Sequence, residues 1–260
     1  MSIGSLQARE VFHLTFLRWL TRALPLESFA LKGGSNLRFY FGSVRYSEDM
    51  DVDVEGVAVH VLAEKVMAVL GSGAFADTLR THGIESVLPP DLSRAKQTAT
   101  VQRFKVHLVT RAREDLFTKV EFSRRGLDAP VLAQAVSAEL LGSYRMASLI
   151  APHYAAEAAV RQKVRALRGR REPQARDVFD LHLLIPHVEP LAESVLGAFP
   201  AKELEDARGR VFDLGFDAFR DQVVAYLGPQ DRAFHLNSEV WDEIRLGVVA
   251  LLERGLEGHG

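Results

Sequence analysis

Residues 31–55 read LKGGSNLRFYFGSVRYSEDMDVDVE, and the rest of the chain is organised around them. Gly33 and Gly34 have no side chain to hold a ligand away from the backbone, and Ser35 adds a hydroxyl beside its N–H. Asn36 to Phe41 follow as a short helix whose N-terminus favours anions, and Gly42 closes it. Asp49, Asp51 and Asp53 then alternate with Met50, Val52 and Val54. Residues two apart in a strand share a face, so this run lines carboxylates along one side of a sheet. Carboxylates that close repel one another unless a cation stands among them. Mg²⁺ is a hard cation that takes carboxylate and phosphate oxygens together. Spacing alone leaves two valid pairs, Asp49 with Asp51 or Asp51 with Asp53.

Upstream, Phe29 to Leu31 is a short apolar segment that feeds the glycines as a strand. Lys32 sits at its end, placed either toward solvent or against a phosphate. Residues 5–24 have helical spacing at Leu14, Leu17 and Leu20, with Ser5 as N-cap and Pro25 just past the end. His13 and Trp19 on it are packing residues. Downstream, Arg45 stands next to three carboxylates, and the expectation is that it pairs with one of them or with phosphate. Residues 57–70 form an amphipathic helix that ends at Gly71. Residues 74–82 suggest another helix, and residues 86–99 a loop in which Arg94 and Lys96 are exposed cations.

Gln102 to Thr110 alternates, with Phe104, Val106 and Leu108 on one face and Arg103, Lys105 and His107 on the other. Leu116 to Phe122 alternates again, which makes the two a hairpin. Phe117, Lys119 and Glu121 share its polar face. Glu121 therefore lies on a strand able to run beside the aspartates, or it pairs with its neighbour Lys119.

The order Gly33, Gly34, Ser35, Leu37, then Gly42, Arg45, Ser47, Asp49 and Asp51 resembles the AbiEii-type nucleotidyltransferases. These are toxins of type IV toxin–antitoxin and abortive-infection systems, within the DNA polymerase β-like nucleotidyltransferase superfamily. The resemblance implies an α+β fold, a mixed β-sheet with flanking helices followed by a C-terminal helical domain. It selects Asp49 and Asp51 as metal ligands and leaves Asp53 as an outer or surface residue. It implies Glu121 as the third carboxylate, where many superfamily relatives carry Asp. Lys32, Gly33, Gly34, Ser35, Arg45 and Ser47 become nucleotide-binding residues. The cofactor implied is Mg²⁺ (or Mn²⁺) with an NTP as co-substrate. The acceptor implied is an RNA, a tRNA in particular, and an antitoxin encoded nearby is the implied partner.

The likeness continues in RQKVRALRGRREPQARDVFDLHLL, residues 161–184. Lys163, Ala166 and Leu167, then Arg176, Asp177, Phe179, Asp180 and Leu181, resemble the family's C-terminal motifs. By resemblance Lys163 contacts nucleotide phosphates, while Arg176, Asp177 and Asp180 act near the substrate or brace the basic helix. Read from the residues alone, Asp177 and Asp180 cap the helix and pair with Arg176 or Lys163. A Lys and several Arg near the carboxylates would neutralise a triphosphate and attract RNA.

Composition narrows the rest. At 260 residues, 47% hydrophobic and 25% charged, the chain is an ordinary globular protein of one or two domains. A net charge of −2 requires any nucleic-acid surface to be a local patch. The absence of cysteine excludes disulfides and thiolate metal sites. No signal-like segment and no apolar run of membrane-spanning length is present, which points to a cytoplasmic protein with no membrane partner. Strand signals fade after about Asp128, so the expected division is a catalytic domain at 1–127 and a helical domain at 128–260, with the nucleotide in the cleft between. Residues 131–141 and 143–150 read as a helix or a strand with a turn, residues 152–168 as one helix, and four more helices are expected near 188–198, 201–208, 215–227 and 237–255. Three rival functions share these features: transfer to a small molecule, transfer to a protein (AMPylation), and nucleotide binding without turnover.

Overall fold

The structure, a computed structural model, describes residues 3–93 and 95–257; Arg94, expected as an exposed loop cation, lies outside them. The chain divides into two units. The first comprises residues up to Gly42 together with Tyr46–Tyr154, and the second comprises Ser43–Arg45 with the residues from Ala155 onward.

The first unit begins with α1 (Ser5–Ala23), β1 (Phe29–Lys32), α2 (Gly33–Tyr40) and β2 (Asp49–Val54). Then come α3 (Val59–Leu70), α4 (Gly73–Thr81), β3 (Ile84–Leu88), β4 (Val101–Thr110) and β5 (Asp115–Ser123). It ends with β6 (Val131–Ala135), α5 (Ala138–Ser143) and β7 (Ile150–Tyr154). The seven strands form one mixed sheet in the order β3-β4-β5-β2-β1-β7-β6. β2 is antiparallel to β1 and parallel to β5, and β4 and β5 form the expected antiparallel hairpin.

Strand alternation sorts the residues by face, as period-two patterning requires. Met50, Val52, Val54, Phe104, Val106, Leu108, Val120 and Phe122 join one buried cluster with Phe12 and Phe16 of α1, Leu62 and Val66 of α3, and Phe75 of α4. Asp49, Asp51, Arg103, Lys105, His107, Phe117, Lys119 and Glu121 alternate with them on the opposite face and are partly or fully exposed. The core thus holds one side of the sheet and leaves the other to chemistry.

The first unit runs to Tyr154, past the expected boundary at 127, because β6 and β7 complete the sheet. β7 pairs parallel with β1 and antiparallel with β6. Two smaller expectations also shift. The start of the presumed 86–99 loop is the last part of β3, and the helix expected from residue 152 starts at Ala156, after β7.

The second unit is helical: α6 (Ala156–Gly169), α7 (Ala175–Val188), α8 (Ala192–Leu196), α9 (Ala201–Phe212), α10 (Phe216–Gln222), α11 (Pro229–His235) and α12 (Ser238–Glu257). Trp241, Ile244, Val248 and Leu251 are buried on α12 at the expected helical spacing. α11 follows the Gly228-Pro229 break, with proline in the first-turn position it tolerates best. Among the described residues no single helix is long and apolar enough to cross a membrane.

Candidate active site

Gly33 makes the turn from β1 into α2, and it does so with φ +68°, a left-handed conformation that side chains oppose. A Cβ there would also lie 2.9 Å from Asp51 Oδ2. The glycine is therefore required twice, by its backbone and by the carboxylate packed against it. Past it, Ser35 and Ser47 converge on one atom. Both hydroxyls donate to the backbone carbonyl of Asp49, at 3.1 and 2.7 Å. The two serines expected to bind nucleotide thus fix the entry of β2, and Ser35 is buried.

The three aspartates differ in burial and in partners. Asp53 is only 4% exposed; Lys32 Nζ lies 2.5 Å from its Oδ1 and the Tyr154 hydroxyl donates to its Oδ2 at 2.9 Å. Of the two placements expected for it, outer or surface, burial excludes the surface one, and Lys32 is its counter-ion. Asp49 and Asp51 are left on the open face, the Asp49 side chain well exposed and Asp51 only partly so. Asp51 lies opposite Glu121 in the β2–β5 register, and Asp49 lies opposite Lys119.

Lys119 is the residue the sequence reading weighed only as a partner for Glu121. Its Nζ stands 3.0 Å from Asp49 Oδ2 and 3.5 Å from Glu121 Oε2, and Arg103 Nε reaches Glu121 Oε2 at 2.6 Å. Burial disfavours the Lys119 ammonium, but the carboxylates Asp49, Glu121 and Asp51 outweigh it and raise its pKa. For Asp51 burial dominates and pushes the carboxyl up, against the pull of Lys119 and Lys32.

Among the described residues no three His, Asp or Glu side chains converge on one point, and Glu121 is paired with Arg103 and Lys119. The donor set still fits a hard divalent cation. Asp49 and Asp51 are carboxylates on one face, a lysine ammonium already bridges Asp49 and Glu121, and the missing Cβ of Gly33 leaves room beside Asp51 Oδ2.

Arg45 lies elsewhere than expected. It belongs to the second unit, where it is 6% exposed and grips Asp180 with Nη2 at 3.1 and 3.0 Å from the two carboxylate oxygens. Lys163 Nζ lies 2.5 Å from Asp180 Oδ2 and 3.1 Å from Asp177 Oδ1, and Arg170 Nε lies 2.8 Å from Asp177 Oδ2. Three cations thus surround two fully buried carboxylates. Burial alone would raise the Asp180 pKa, but Arg45 and Lys163 overcome it and hold the carboxyl below its usual range. The cluster joins α6 to α7 by the pairing read from the residues alone. Lys163 is the partner, and Arg176 points away as an exposed residue. The long separation between Arg45 and Asp180 left no local signal of their pairing.

A mixed sheet that carries two carboxylates on its open face, beside a glycine turn into a helix, defines the nucleotidyltransferase class of enzymes. The chain belongs to the family described as "Nucleotidyl transferase AbiEii toxin, Type IV TA system", which matches residues 15–243. Among solved structures it is similar to MenT4, a nucleotidyltransferase toxin from Mycobacterium tuberculosis, at 18% identity and a TM-score of 0.67, over 96% of this chain and 84% of that one. JHP933 from Helicobacter pylori is similar at 21% identity and a TM-score of 0.55, over 99% and 94%. A putative nucleotidyltransferase from H. pylori gives 19% identity and a TM-score of 0.54, over 100% and 99%. At these identities the likeness is one of fold. No curated protein matches the sequence.

Proposed function

We propose that this nucleotidyltransferase moves a nucleoside monophosphate from an NTP to a hydroxyl of an RNA, a tRNA 3′ end in particular, and releases pyrophosphate. The observation that carries this reading is the Asp49–Asp51 pair beside the Gly33 turn, with Glu121 opposite Asp51. The backbone N–H groups at the start of α2, bared by Gly33 and Gly34, bind the phosphates of the leaving group. Ser35 and Ser47 hold Asp49 in register through its carbonyl, and Lys32 keeps Asp53 neutralised and out of the way. Mg²⁺ (or Mn²⁺), held by Asp49 and Asp51, would supply Lewis-acid polarisation of the reacting phosphate. The acceptor oxygen forms its bond to the α-phosphorus as the bond to the β-phosphate oxygen breaks. The acceptor's proton passes to Glu121, once Lys119 yields its place beside that carboxylate. Lys163, Arg45, Asp177 and Asp180 serve this reaction by fixing α6 on α7, and Arg176 remains an exposed cation available to RNA.

The family's description supports a cognate antitoxin as partner. Both NTP and RNA are found in the cytoplasm, which is where we propose that the enzyme works. The test is a transfer assay with each α-³²P-labelled NTP, Mg²⁺ and total RNA or lysate. Label in a tRNA-sized band, reduced at least a thousandfold (roughly 4 kcal/mol of transition-state stabilisation) by Asp51→Asn, is the expected result. Label on protein would replace this reading with AMPylation, and label on neither would move it to a small-molecule acceptor.

A further inference from the structure

The open face of the sheet continues past the carboxylates. Leu88 of β3 is registered with His107 of β4, and His107 with Phe117 of β5, so the three form a row across neighbouring strands. It is an apolar row that water reaches: Phe117 is 64% exposed and Leu88 45%. The His107 and Phe117 rings stack with centroids 4.6 Å apart and planes 19° from parallel. His107 Nε2 is fixed by Asp115 Oδ1 at 2.6 Å, and the Phe117 carbonyl accepts from Arg9 Nε at 2.9 Å. The Phe117 ring is thus backed by His107 and its backbone is tied to Arg9, while much of the ring stays bare.

The next row toward the carboxylates is basic, with Lys105 opposite Lys119, and the row after that brings Arg103 opposite Glu121. Two-residue steps along a strand measure about 6.7 Å, so Phe117 lies about 13 Å from Glu121 on the same face. An aromatic ring, a lysine and a carboxylate (Phe117, Lys119 and Glu121) therefore follow one another along β5, with Lys105 beside the lysine on β4. Unpaired bases stack on aromatic rings while cations track the backbone phosphates. A rigid ring loses little freedom on binding. The mixed character also disfavours a purely apolar partner, because the lysines and the Asp115 carboxylate would have to be desolvated.

We propose that Phe117, backed by His107 and bordered by Leu88, is the shelf on which an unpaired base of the acceptor RNA stacks. Lys105 takes the phosphate that links that base to the reacting end. The proposal rests on the reading that the acceptor is RNA, and it adds a place for that RNA in the first unit.

The test is equilibrium binding of a short single-stranded RNA carrying 2-aminopurine near its 3′ end, with no NTP present. Stacking quenches this base, so wild-type protein should quench it on binding. Phe117→Ala should weaken binding about tenfold and abolish the quenching, as loss of one base–aromatic stack does. Phe117→Trp should retain both. Because Phe117 is exposed, its loss leaves the core intact, and an unchanged melting curve verifies this. Binding by Phe117→Ala within twofold of wild type, with quenching retained, overturns the proposal. So does a wild-type protein that leaves this RNA unbound, including one in which Phe117→Ala instead abolishes self-association in sedimentation, which would give the shelf to a second copy. The transfer assay separates the two readings. RNA labelling undiminished in Phe117→Ala sinks the shelf alone, whereas label on protein in place of RNA sinks the acceptor assignment itself.

Discussion

Gly33 shows how much one missing side chain decides. Its left-handed backbone would cost an alanine about 1–2 kcal/mol, and the new Cβ would press on the Asp51 carboxylate from 2.9 Å. Gly33→Ala is therefore expected to lower stability by about that amount in urea, yet to reduce transfer activity at least a hundredfold. A loss of activity no larger than the stability change implies would show that Asp51 tolerates displacement. The glycine and the aspartates were legible in the sequence, since both follow from local rules about turns and alternate faces. The proposed choice of Asp49 and Asp51 over Asp53 was not legible from spacing. It leans on Tyr154, which lies 101 residues further along the chain and donates to the Asp53 carboxylate. The same holds for Arg45. Its neighbours in sequence are carboxylates, but its partner in space is Asp180.

At the scale of elements, α1 is tied to β5 by a buried polar contact. His13 Nε2 lies 2.7 Å from Thr118 Oγ1, and the Thr118 hydroxyl donates its only proton to the Glu48 carbonyl at 2.6 Å. The Thr118 oxygen must then accept, so the His13 proton sits on Nε2. Burial, helped by the nearby Arg9 charge, lowers the His13 pKa to about 3. An unfolded histidine titrates near 6.5, so between about pH 6.5 and pH 3 the unfolded state binds the extra proton. Stability contributed by neutral His13 is complete above that window and falls with decreasing pH inside it, by up to about 1.4 kcal/mol per unit. Urea melts from pH 7 to pH 4 should show this slope, and His13→Gln should flatten it; an equal slope in the variant would place the acid sensitivity elsewhere. The sequence marked His13 as a packing residue, and its partner became visible only with the register of β5. The strands β6 and β7 were left undecided or read as helix for a different reason. β6 is mostly exposed and carries alanine and glutamine, and β7 has Pro152 in its middle, where a ladder N–H is lost. The hairpin β4–β5 was legible because its alternation is long and clean.

At the scale of the whole molecule, the division of the chain differs from the order of its residues. The segment Ser43–Arg45 belongs to the helical unit although the sequence around it belongs to the sheet. A fragment of residues 155–260 would keep Asp180, Asp177, Lys163 and Arg170 but lose Arg45. Removing one member of a buried ion cluster costs about 3–5 kcal/mol, so this fragment and the full-length Arg45→Ala variant should be destabilised by comparable amounts. Denaturant melts of both against wild type would measure it, with Arg45→Lys recovering only part because lysine lacks the planar fork. Loss of less than about 1 kcal/mol in Arg45→Ala would mean that Lys163 alone satisfies Asp180. The two-part architecture could be read from the change in composition near residue 128. The point of division could not, because it follows the sheet's last strand and one arginine, neither of which alters composition.

Arg45 also sets an order of events at the ribosome. It emerges 135 residues ahead of Asp180, its partner. Throughout that interval translation supplies the sheet, strand by strand, while the arginine waits in water without its carboxylate. Contacts that span so much chain form late. The helical unit can close its charge cluster only when α7 has left the exit tunnel, so this part of the nascent enzyme forms after the sheet strands that follow Arg45.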